Sequence, residues 1–114
     1  WLPNGTYRLK LHRDYRGRLI KGRAFQIDDK RCANGNRRFA LFIHTEQGAR
    51  SRQCAARRGD PACRWEFPKI NDYKSAGCIK MSPGALKALV DRFDHFYRPG
   101  VRYAKSTVEL RVVN

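Results

Sequence analysis

The sequence predicts a mostly β domain of the β-rich α+β class with one main packed helix. Three observations predict it. Several short segments alternate apolar and polar residues, one segment repeats apolar residues with the helical period, and glycine, asparagine and proline signals separate them. The 114 residues form a single domain, 1–114, able to bury one modest core.

The elements follow in order. "GTYRLKLH" (5–12) sets Tyr7, Leu9 and Leu11 on one face and Arg8 and Lys10 on the other, a half-buried strand. "DYRGR" (14–18) reads as a turn. "GRAFQIDD" (22–29) is a second strand, with Ala24 or Phe25 and Ile27 as candidates for its inner face. Asn34-Gly35 is a strong turn signal. "RRFALFIH" (37–44) ends nearly all apolar and reads as one central strand buried on both faces. From about 45 to 73 no period holds, so a long inserted loop is expected there, functional or stapled. In "SPGALKALVDRFDHFY" (82–97) Ser82 is a natural N-cap and Pro83 a natural first helical residue. Leu86, Leu89, Val90, Phe93 and Phe96 or Tyr97 share one face of that helix, and "RPG" stops it. "STVELRVV" (106–113) alternates Val108, Leu110 and Val112 as a last strand.

Hydrophobic residues make up 41% of the chain, which excludes a disordered composition. No run approaches the roughly 20 apolar residues of a membrane span. Trp1-Leu2-Pro3-Asn4 has no signal-peptide pattern, so the domain is expected to be cut from a longer chain or delivered by other means. There are 25 Lys and Arg against 10 Asp and Glu, a net charge of +15. Such a surface attracts polyanions or acidic proteins. Nucleic acid, an acidic inhibitor of a basic toxin, and anionic cell-wall polymers all fit it.

The chain has four cysteines and no CxxC or zinc-finger spacing, so neither a metal nor another cofactor is expected. Cys54 and Cys63 flank an arginine-rich stretch and could close a short disulfide loop worth about 2–3 kcal/mol in the chain-entropy model. That bridge would place the protein in an oxidising compartment; four reduced thiols is the alternative.

Two residues could carry covalent chemistry. Cys78 follows the small-residue run Ser75-Ala76-Gly77 and precedes the helix start. Glycine admits a close substrate, and nearby N–H groups and positive charge should lower the thiol pKa. His44 ends the most apolar strand, where a rigid scaffold presents groups to a cleft. Together they make a minimal acyl-transfer apparatus: imidazole takes the thiol proton, thiolate attacks an acyl carbon, and backbone N–H groups hold the oxyanion. The plainer meanings are a buried structural cysteine and a hydrogen-bonded histidine at a strand end. His12, among arginines, and His95, near the helix C-terminus, are weaker candidates. "ARSRQCAARRG" (49–59) would contact phosphates as a nucleic-acid surface, but a solvated cationic loop is the commoner meaning.

"FIHTEQG", then "SAGCIKM", an amphipathic helix and "PGVRYAKSTVELRV" together resemble the catalytic core of L,D-transpeptidases. "LPNGTYRLKL" resembles that family's early strand, and with "NRRFALFIH" looks closest to its secreted antibacterial toxin branch. The resemblance runs from Leu2 to about Val113, and Ser-x-Gly-Cys-Ile is its most specific part. It implies a compact β-sandwich or barrel, with Cys78 as nucleophile and His44 as general base. Ser75 and Gly77 would shape the turn, and the Gly77 and Cys78 N–H groups would hold the oxyanion. Thr45, Lys80 and Tyr73 are the implied substrate contacts. The substrate would be a peptidoglycan tetrapeptide stem, cleaved with release of D-Ala to a thioester. Water would then give L,D-carboxypeptidase activity, and an amine L,D-transpeptidation or exchange. Delivery to the bacterial periplasm and an acidic immunity protein would follow for a toxin. The chain departs from the family pattern at Thr45, where the family has glycine, and at Ala76, where it has histidine. The rival reading is a basic nucleic-acid-binding or nuclease-type toxin module with a structural Cys78.

Overall fold

The computed structural model describes residues 2–48, 50, 52, 77–97, 100 and 108–113. They form strands β1 (Gly5–Arg16), β2 (Lys21–Ile27), β3 (Lys30–Arg31), β4 (Arg37–Arg38), β5 (Leu41–His44) and β6 (Ile79–Lys80). Helix α1 (Pro83–Phe96) and strand β7 (Glu109–Val112) complete the described chain. The class is mostly β with a single helix among the described residues. Five strands make one sheet in the order β6-β5-β2-β1-β7, and β3 and β4 make a separate ribbon.

Alternation becomes a two-faced sheet through its register. Leu9 pairs with Ile27, Leu11 with Phe25, Phe25 with Ile43, Ile27 with Leu41, Tyr7 with Leu110 and Ile43 with Ile79. Side chains alternate across a strand, so these apolar residues line one face. Helix α1 covers that face with Leu86 and Val90 buried and Leu89 and Phe93 packed beside them. The Phe25 and Phe93 rings meet edge to face at 5.2 Å. The even-numbered residues of β1, β2, β5 and β6 turn to the opposite face. His12, Gln26, Phe42, His44 and Lys80 are therefore presented away from the helix.

The helix begins as expected. Ser82 accepts a hydrogen bond from the Ala85 N–H at 3.2 Å, and Pro83 occupies the first turn, where its missing N–H costs nothing. Arg13 grips Asp94 through both guanidinium nitrogens, at 2.6 and 3.0 Å, and ties the end of α1 to β1.

Three segments differ from expectation, each because of pairing. Strand β1 runs through Asp14 to Arg16, so the turn expected at 14–18 lies just beyond it. A bulge between His12 and Tyr15 lets the strand continue and puts both residues on the same face. The predicted single strand 37–44 breaks at Phe39-Ala40. Strand β2 ends at Ile27, opposite Leu41, so earlier residues have no partner there and pair with β3 instead. Ala40 makes the corner in the left-handed region, at φ 52°. Strand β6 was not expected. Of the inner-face candidates, Phe25 and Ile27 face the helix, and Ala24 is buried on the other side. The Asn34-Gly35 turn is as expected: Gly35 has φ 84°, and Asn34 Oδ1 accepts from the Asn36 N–H at 3.2 Å.

Candidate active site

Strand β6 brings Cys78 to the sheet. Gly77 precedes it at φ 122°, and a Cβ there would stand 2.9 Å from Leu41 Cδ2. Any other residue would be strained here, because the backbone conformation favours glycine and a Cβ would push on the end of the Leu41 side chain. Ile79 then packs into the core opposite Ile43. With Ile79 held inward, Cys78 and Lys80 project to the other face, which they share with Phe42 and His44.

Cys78 is half-buried. Its Sγ donates to the Ala40 carbonyl at 3.8 Å. Burial raises the thiol pKa, outweighing a hydrogen bond from the Phe42 main chain and the charge of Lys80, which both lower it. The expected lowering by the helix start and nearby charge is thus overturned: desolvation of a thiolate at the sheet edge is the larger effect.

His44 is 9% exposed at the end of β5. Its Nδ1 bonds the Thr45 carbonyl at 3.3 Å. A carbonyl only accepts, so Nδ1 carries the proton and Nε2 keeps its lone pair. Burial pushes the imidazole pKa down to about 4, against the backbone hydrogen bond, which raises it, and Lys80 lowers it further. The ring is therefore neutral at pH 7.

The chain beyond His44 is firmly held. Thr45 is buried, and its hydroxyl donates to Glu46 Oε2 at 3.0 Å, so this predicted substrate contact braces the turn. Gln47 Oε1 accepts from the Arg23 N–H at 3.2 Å. Lys80 stands directly opposite His44.

Cys78 and His44 thus lie on one face of adjacent parallel strands. Cys78 sits beside Phe42, and His44 is one pleat further along. No hydrogen bond joins the imidazole to the sulfur, which is turned toward Ala40. Proton transfer between them requires the thiol to rotate or a water to bridge.

A groove of about 490 Å³ opens over Cys78, with Phe39, Ala40 and Phe42 on one side and Tyr15, Leu19 and Ile20 on the other. Its walls were not among the residues expected from the sequence. The Tyr15 ring packs on Phe42 at 4.8 Å and on His12 at 5.0 Å, contacts that only the β1 bulge makes possible. His12 bonds Gln26 Oε1 through Nε2 at 3.1 Å. A non-glycine corner at Ala40 left no mark in the alternation. His95 lies exposed in the last helical turn, as expected.

Ser75, Tyr73 and the Cys54–Cys63 pair lie outside the described residues, as does most of the expected 45–73 loop. Cys32 is a half-buried free thiol. Among the described residues no three His, Cys, Asp or Glu side chains gather as a metal site, and no helix is long and apolar enough to cross a membrane. No family model, curated protein or solved structure matches the chain.

Proposed function

We propose that the chain is a cysteine acyl-transfer enzyme acting on peptidoglycan tetrapeptide stems. The observation that carries the reading is the placement of a thiol and a neutral imidazole on one sheet face. Cys78 follows a glycine in a left-handed conformation and lines a groove. The resemblance of the "SAGCIKM" and "FIHTEQG" segments to L,D-transpeptidases supports the substrate class.

With both groups neutral at rest, proton transfer accompanies attack. His44 Nε2 takes the thiol proton as sulfur adds to the carbonyl carbon of the third stem residue. The resemblance assigns the oxyanion to the Gly77 and Cys78 N–H groups. Collapse of the tetrahedral adduct breaks the C–N bond, and the imidazolium returns its proton to the departing D-Ala amine. The thioester left on Cys78 passes to water, giving a tripeptide, or to an amine, giving exchange or a cross-link. Thiol is regenerated in each case. The charge of +15 suits both the anionic wall and an acidic immunity protein, and supports a toxin delivered to the periplasm.

The nucleic-acid reading is less well supported. A depression of about 870 Å³ on the same face is lined by Arg8, Lys10 and Lys30, but also by Asp28 and Asp29. Asp28 already holds Arg8 at 3.1 Å. Carboxylates on the floor repel phosphate.

Mass spectrometry of muropeptides incubated with the protein tests the proposal. D-Ala release is expected from the parent chain and its loss from Cys78→Ala, with the circular dichroism of the two alike. Equal release by Cys78→Ala ends it. Tight, salt-sensitive oligonucleotide binding indifferent to Cys78, without D-Ala release, favours the rival.

A further inference from the structure

The groove over Cys78 combines apolar walls with a cationic rim. Leu19 and Phe39 are 58% and 71% exposed, an unusual setting for large apolar side chains. Arg18, Arg37 and Arg38 also line it, and among the described residues no acidic one does. Arg37 is taken by Asp29 at 2.9 Å. Arg38 differs: its Nε is shut off from water and, among the described residues, has no hydrogen-bond partner. A guanidinium cannot relieve such a loss by giving up its proton. The terminal nitrogens of the same side chain are not enclosed, and among the described residues no carboxylate holds them, so this end of the guanidinium is open to an anion in the groove.

The chain path fixes where that partner would sit. Arg38 ends β4, two residues before Ala40, whose carbonyl receives the Cys78 thiol. The left-handed Ala40 corner holds the sulfur and the guanidinium on the same groove.

We propose that Arg38 anchors a free carboxylate of the peptide whose acyl carbon meets Cys78, so that the groove selects anionic over neutral peptides. The placement of the acyl carbon rests on the acyl-transfer reading above; the carboxylate site does not need turnover. The guanidinium fork matches a carboxylate through two parallel N–H···O bonds, and the apolar walls accept the aliphatic parts of the peptide.

The test uses Cys78→Ala, which cannot turn over the peptide. The probe is acetyl-L-Ala-γ-D-Glu-meso-diaminopimelate-D-Ala, with its carboxylates either free or all amidated. Calorimetry should show the acid bound at least about tenfold tighter than the amide. Arg38→Gln in the same background should bring the two within about twofold, and Arg38→Lys should keep part of the preference. Equal binding of acid and amide overturns the proposal, as does an acid preference unchanged in Arg38→Gln. If Arg38→Gln does not fold, the comparison of acid with amide on Cys78→Ala alone still decides. Acid-selective, Arg38-dependent binding with no thioester on the parent chain by intact mass leaves this site standing and ends the acyl-transfer reading. Turnover that ignores the carboxylates does the reverse.

Discussion

Lys80 stands directly opposite His44 where β5 and β6 run parallel, and its charge bears on both the imidazole and the Cys78 thiol. A cation favours thiolate and disfavours imidazolium, so it lowers both pKa values. One side chain thereby adds to the burial that keeps the imidazole neutral, and opposes the burial that raises the thiol.

Replacing that charge should move both groups upward. In Lys80→Met the rate of Cys78 alkylation by iodoacetamide at pH 8 falls, and its pH profile shifts to higher pH. The His44 titration followed by NMR rises from about 4. Lys80→Arg preserves both profiles. An unchanged alkylation profile in Lys80→Met would show that the lysine charge does not reach the sulfur.

His44 makes stability depend on pH. Its folded pKa is about 4, below the ordinary value of 6.5, so between those values the unfolded chain binds a proton that the folded chain does not. Stability is full above about pH 6.5 and is lost as pH falls toward 4, by about 3 kcal/mol in all. Urea melts at pH 7.5 and 4.5 should show this loss in the parent chain and a smaller one in His44→Gln. Parallel losses in both would contradict the burial of a neutral ring. The same variant should release no D-Ala if His44 is the base.

Gly77→Ala tests the turn into β6. A methyl group at φ 122° and 2.9 Å from Leu41 strains the backbone and crowds the core. The expected cost is about 1–3 kcal/mol in denaturant melts and, under the proposed acyl transfer, D-Ala release falls further as Cys78 is displaced. A variant as stable as the parent would mean the turn adapts.

Ala40→Gly tests the neighbouring corner with the opposite sign. Glycine accepts φ 52° without the Cβ clash, so the folded chain should gain up to about 1 kcal/mol. Greater freedom at this corner loosens the carbonyl that holds the sulfur, and under the proposed acyl transfer turnover should fall. Destabilisation would place the value of Ala40 in its methyl contacts.

Ser82→Ala removes the side-chain acceptor for the Ala85 N–H. A loss of about 1 kcal/mol is expected, without change in the Cys78 alkylation profile. A shifted profile would tie the thiol to the helix start after all.

Much of the fold was legible in the residues. Tyr7, Leu9 and Leu11 announced a strand face, Ser82-Pro83 a helix start and Asn34-Gly35 a turn, and each stands where the pattern put it. The site was legible only in part. Gly77, Cys78 and His44 could be named, but Tyr15 enters the groove through a bulge that the alternation of β1 does not reveal. Thr45 read as a substrate contact, yet the turn after β5 folds its hydroxyl onto Glu46.

The sequence by itself determined the local elements, because strand alternation, helix capping and an Asn-Gly turn depend on sterics and hydrogen bonds within a few residues. Only the tertiary structure decided that the thiol shares a face with the imidazole, that strand 37–44 divides at Ala40, and that Cys78 is harder to ionise than an ordinary thiol. Those outcomes depend on register between distant strands and on the loss of water around a buried charge. Both are properties of the assembled sheet and of no single stretch of chain.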